Sequence, residues 1–127
     1  MKRRWIISFA LVTGFILSPV AHAKPTPQVQ AEINHLLDYV AKSGCAFYRN
    51  GTWYDSETAQ QHLSKKYDYM ESMNLINTAD EFIEKIATES SLSNERYQVK
   101  CTGEVTTQSN IWLHDELVRY QKKSDVN

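Results

Sequence analysis

Apolar residues recur at helical spacing in four stretches of this chain and alternate at strand spacing in two others. Val29, Ile33, Leu36, Leu37 and Val40 fall on one side of a first helix, with Gln30, Glu32, Asn34 and Asp38 on its wet side. Pro25 and Pro27 form a stiff leader to it. Lys42 in the last turn and Gly44 just beyond predict where it stops. Cys45-Ala-Phe-Tyr48 then has the pattern of a short strand with Cys45 and Phe47 on one face. Asn50-Gly51 tolerates φ > 0 at both positions, which predicts a tight turn and a return strand over Thr52–Tyr54.

Asp55 or Ser56 is the expected cap of a second helix. Its inner stripe is Ala59, Leu63, Tyr67 and Met70, with Lys65, Lys66 and Glu71 directed outward. Thr78-Ala-Asp-Glu81 forms a capping box, and Phe82, Ile83, Ile86 and Ala87 follow on one face of a third helix. Ser90–Glu95 is a polar turn, and Ser90-Ser91 is expected to satisfy the last backbone groups of that third helix. Tyr97, Val99 and Cys101 alternate as the inward face of another strand. Gly103–Gln108 is expected as a loop, and Ser109 or Asn110 as the cap of a last helix carrying Trp112, Leu113, Leu117 and Tyr120. The tail after Lys122 is expected to fray. The expected architecture is α+β: four helices with a short antiparallel β-element.

Before these elements lies a segment of another kind. Lys2, Arg3 and Arg4 precede an apolar run, Ile6–Val20, and then Ala21-His22-Ala23. That order predicts a secretory signal peptide over residues 1–23, cleaved after Ala23, with one small domain over 24–127. The run is shorter than the roughly 18–20 apolar residues that span a bilayer, so no membrane anchor is expected after cleavage. The expected compartment is the bacterial periplasm. The chain holds 14 Lys and Arg against 15 Asp and Glu. Losing three basic residues with the signal leaves a net charge of about −4, and no basic face for nucleic acid.

Two cysteines, Cys45 and Cys101, lie in the exported part. An even pair without metal-type spacing in an oxidising compartment predicts one disulfide. The matching inward faces of the two strands predict that these segments pair or abut, with the bond between them. A loop of that length is worth on the order of 4 kcal/mol by the chain-entropy relation.

The pattern resembles the YfeK-like proteins, domain-of-unknown-function family 5329. The resemblance is carried by Ser43-Gly-Cys45 with Phe47, by Arg49-Asn50-Gly51, and by Glu57, Ala59 and His62-Leu63. It continues through Lys66-Tyr67, Thr78-Ala79, Glu81-Phe82-Ile83, Ser90-Ser91, Tyr97, Val99 and Trp112-Leu113. It implies a small exported bacterial protein and brings no established activity.

Candidate chemistry concentrates in one stretch. Arg49 beside the turn has the fork geometry to hold a carboxylate or phosphate, or alternatively to pair with Glu57 or stack on Trp53. The hairpin cannot bury both faces, so Tyr48, Trp53 or Tyr54 is expected to form an exposed aromatic anchor. Binding residues are therefore placed at Arg49, Asn50, Trp53, Tyr54, Glu57 and His62. A hydrolase reading would pair His62 as base with Ser90 or Ser91 and Glu57, but no GxSxG surrounds either serine. His35, His62 and His114 lie on three different helices, and no metal or cofactor is expected. The sequence favours a non-catalytic binding or interaction module whose partner is an envelope protein or a small anionic ligand. A small hydrolase, or an inhibitor or immunity protein of an envelope enzyme, is the alternative.

Overall fold

The structure is a computed structural model that describes residues 10–17 and 24–127. The basic n-region and the Ala21-His22-Ala23 junction lie outside the described residues. Residues 10–17 adopt no helix or strand, and their apolar side chains are exposed. Among the described residues no helix is long and apolar enough to cross a membrane.

Helix α1 spans Pro27–Lys42, one proline earlier than a leader ending at Pro27 implies. Proline suits the first helical position because its missing N–H would be unpaired there anyway. The Thr26 hydroxyl accepts from the Val29 amide and caps the end. Ile33, Leu36, Leu37 and Val40 are buried as the periodicity requires. Glu32 is buried too, contrary to its assignment to the wet side. The Gln121 amide donates to it at 2.7 Å, which offsets part of the cost of taking a carboxylate out of water.

Strands β1 (Ala46–Arg49) and β2 (Thr52–Tyr54) form the expected hairpin. Asn50 and Gly51 sit at φ 49° and 84°, the left-handed conformation that this two-residue turn demands. Asp55 caps helix α2, Ser56–Ser72, by accepting from the Thr58 amide at 2.7 Å. Thr78 caps helix α3, Ala79–Ile86, in the same way. The Glu81 carboxylate reaches back to the Asn77 amide, one residue beyond the capping-box position. At the other end, Thr88 and Lys66 bond the last carbonyls of α3, the role expected of Ser90-Ser91. Ser90 instead organises the following turn, accepting from the Leu92 amide.

Strand β3 (Gln98–Lys100) pairs antiparallel with β1, with Phe47 opposite Val99. Cys45 and Cys101 flank that register and are joined by a disulfide. Part of the expected 103–108 loop is a fourth strand, β4 (Thr107–Gln108), so the sheet order is β2-β1-β3-β4. The alternation there is too brief to carry a sequence signal. Helix α4 covers Ser109–Ser124, with ordered turns past Lys122. Its cap position is Gln108, not Ser109 or Asn110, and no side chain caps it.

Helix α1 packs against α2, α3 and α4, and the sheet lays its inner face on α2 and α4. Phe82, Ile33, Leu36, Ile76, Ile83 and Leu113 are fully enclosed between these layers. Tyr97 just before β3, Val99 from β3 and Phe47 from β1 close the core from the sheet side.

The disulfide closes a separation of 56 residues. Reduction is expected to lower stability by about 4 kcal/mol, a large fraction of the 5–15 kcal/mol typical of a domain. Urea unfolding with and without reductant measures this directly. An unchanged midpoint would mean the denatured chain is not constrained by the bond.

Candidate functional site

Arg49 is the last residue of β1. Strand alternation places it on the same face as Cys45 and Phe47, which looks inward at α2. On α2, His62 and Lys66 stand one turn apart on the side that carries Ala59 and Leu63. The two elements meet where Arg49 Nη1 donates to His62 Nδ1 at 2.6 Å. A guanidinium has no acceptor, so Nδ1 must be unprotonated and the imidazole proton belongs on Nε2. Nε2 faces the Tyr97 hydroxyl at 3.3 Å and donates to it.

Lys66 completes the cluster and was assigned to the outside by the sequence pattern. Its Nζ donates to the Ile86 carbonyl at 3.1 Å, the Glu89 carbonyl at 3.2 Å and the Tyr97 hydroxyl at 3.4 Å. An ammonium has three N–H groups, and all three have acceptors. Lys66 thereby ties α2 to the end of α3 and to the residue that leads into β3. It leaves no N–H for a ligand.

Electrostatics follow from this crowding. Burial first, then the charges of Arg49, Lys66 and Lys65, pull His62 down from 6.5 to about 4. Burial and Arg49 also lower Lys66, against an opposing pull from Glu89. Tyr97 is raised by burial, with Arg49 acting the other way. His62 is therefore neutral at pH 7, accepts at Nδ1 and is a weak base.

Of the six predicted binding residues, the structure brings three together: Arg49, Tyr54 and His62. The Arg49 guanidinium lies 5.5 Å over the Tyr54 ring. They line a cavity of about 40 Å³ whose walls include Phe47, Leu63, Ala87 and Leu113. Trp53 is on the other face of the hairpin, edge-on to Tyr48 at 5.5 Å and 45% exposed. Arg49 consequently does not stack on Trp53. Nor does it pair with Glu57, which is exposed and makes no ion pair among the described residues. Asn50 shapes the turn and accepts from the Ser93 hydroxyl, tying the hairpin to the 90–95 turn.

His62 bonds to neither Ser90 nor Ser91, so the residue types of a hydrolase are not assembled around it. His35 is elsewhere, paired with Glu116 at 3.0 Å and stacked on Tyr120, and His114 faces Asp80. Among the described residues no three His, Cys, Asp or Glu side chains gather as metal ligands. The site residues that sequence reasoning missed are Lys66 and Ser109. Lys66 had one signal, its position four residues after His62 on the same helical face. Ser109 had none, because its burial depends on β4, which the sequence does not announce.

The depressed His62 has a consequence for stability. Between pH 6.5 and about 4 the unfolded chain takes up a proton at this position that the folded chain refuses. Its contribution is intact above 6.5 and is lost as pH falls toward 4. Thermal unfolding should show the wild type losing stability faster over that window than His62→Gln, which can keep both hydrogen bonds. Parallel pH profiles would place the His62 pKa at its ordinary value. Separately, Lys66→Met should cost about 1–3 kcal/mol by orphaning two partly buried carbonyls.

No solved structure matches this chain. A curated relative, "Uncharacterized protein YfeK" of Salmonella typhimurium (strain LT2), is 34% identical over 87 residues, covering 68% of this chain and 71% of the relative. The model of the family of unknown function DUF5329 matches residues 27–121, from the first turn of α1 almost to the end of α4. This chain belongs to the DUF5329 family.

Proposed function

We propose that this protein is an exported, non-catalytic binding module that presents the Arg49–Tyr54 hairpin to a partner in the periplasm. The observation that carries this is the Trp53–Tyr48 pair, a partly exposed aromatic couple across the hairpin, with Tyr48 on β1, the strand fixed by two sheet neighbours and flanked by the disulfide. A rigid aromatic anchor loses little side-chain entropy on binding, which is why such residues carry interface energy. β2 is also an edge strand, so its outer main-chain groups are open to a partner. An oxidising compartment is supported by the Cys45–Cys101 bond and by the signal-like residues 1–23.

The hydrolase alternative finds no support in this geometry, since Nδ1 of His62 already accepts from Arg49, no serine bonds to the ring, and a pKa lowered to about 4 makes it a weak base. An inhibitor or immunity role would be one form of the same binding reading, with an envelope enzyme as the partner.

Crosslinking in intact periplasm, comparing wild type with Trp53→Ala at equal folded amounts, tests the proposal. A partner held by the wild type should bind the variant about thirtyfold more weakly, corresponding to an anchor worth about 2 kcal/mol. Equal capture by both, or capture of nothing, would assign the hairpin a structural role only.

A further inference from the structure

A second site lies under the sheet, on the face opposite Trp53. Extending the observed pairings by one position sets Arg49, Tyr97 and Ser109 in one row across β1, β3 and the end of β4. The Ser109 amide donates to the Tyr97 carbonyl at 3.0 Å, as that row requires. Two strand spacings separate the ends of the row, about 10 Å. The cavity of about 40 Å³ is lined by all three residues, with apolar walls between.

Both ends of this cavity have unmet chemistry. At one end, the Arg49 guanidinium has a hydrogen bond only to His62 among the described residues, and no carboxylate faces it. Lys66 is saturated by its three oxygens and His62 is neutral, so Arg49 is the group left to attract an anion. At the other end, Ser109 is 4% exposed and its Oγ has no partner. It opens α4, a 16-residue helix whose N-terminus has no side-chain cap. A buried hydroxyl without a partner is costly unless something supplies one.

We propose that this cavity binds a short aliphatic monocarboxylate bearing an oxygen function at its far end. The carboxylate accepts from the remaining Arg49 donors, the carbon chain lies against Phe47, Leu63 and Leu113, and the far oxygen meets Ser109 Oγ. The apolar walls exclude a free phosphate or a dicarboxylate, whose second charge would be desolvated without a partner. The site goes beyond the hairpin–partner reading and does not need it, because Trp53 faces away from the cavity.

The test is a titration of the purified protein followed by backbone amide NMR shifts, with 4-hydroxybutyrate, butyrate, 1,4-butanediol and inorganic phosphate as probes. Saturable shifts around Arg49, Tyr97 and Ser109 are expected with 4-hydroxybutyrate, with butyrate and butanediol each at least about tenfold weaker. Arg49→Gln should lose the preference for the acid over the diol, and Ser109→Ala the preference for the hydroxy acid over butyrate. Ala59→Leu, which fills the cavity from α2, should abolish the shifts while the spectrum remains folded. Trp53→Ala should leave them unchanged, so this site can fail while partner capture succeeds, or the reverse. Absence of saturation at tens of millimolar, phosphate binding as tightly as the hydroxy acid, or a preference for the acid over the diol that survives Arg49→Gln would overturn the proposal.

Discussion

The register of β1 against β3 decides what this protein can present and what it conceals. Phe47 faces Val99, and the Cys45–Cys101 bond beside that pair holds the alignment. A slip of one residue would exchange the faces of β1. Phe47 would leave the core, Arg49 would point to solvent, and Tyr48 would be driven inward. The disulfide therefore does more than constrain the unfolded chain. It fixes the side of the sheet on which the hairpin's single guanidinium lies.

Given that register, α2 supplies the complement. His62 and Lys66 are one turn apart, so one helix face offers an acceptor to Arg49 and a donor to the end of α3. Burial first, and then the neighbouring cations, keep that imidazole neutral, and its neutrality is what allows Arg49 to approach within 2.6 Å. The hydroxyl of Tyr97, at the entry to β3, then accepts from both helix residues. This chain of contacts joins α2, β1, β3 and α3 without a carboxylate. Arg49 keeps its charge uncompensated at the cavity because, among the described residues, no carboxylate pairs with it.

Much of this was legible in the sequence, and for physical reasons. Long amphipathic stripes such as Ile33–Val40 and Phe82–Ile86 have one way to bury themselves, and the Thr78 and Asp55 caps announce their own helices. Asn50-Gly51 dictated its turn. Lys66 was misjudged because a lysine is ordinarily a surface residue, and its acceptors come from segments twenty or more residues away. Glu32 was misjudged for the same reason, its partner being Gln121 on the last helix. The hairpin residues were gathered into one site by proximity in sequence, whereas strand alternation sends Trp53 and Arg49 to opposite faces. β4 and the buried Ser109 depend on two residues of pairing, too few to leave a pattern.

The whole arrangement depends on one contact, that of Arg49 turned under the sheet onto a neutral imidazole. Long-range proton–nitrogen NMR of His62 in the intact protein measures both halves of it, the tautomer and the titration. The Arg49 contact requires an unprotonated Nδ1 and a proton on Nε2, persisting from neutral pH down to about 4. A proton on Nδ1 at neutral pH, or titration near 6.5, would mean that Arg49 is not there.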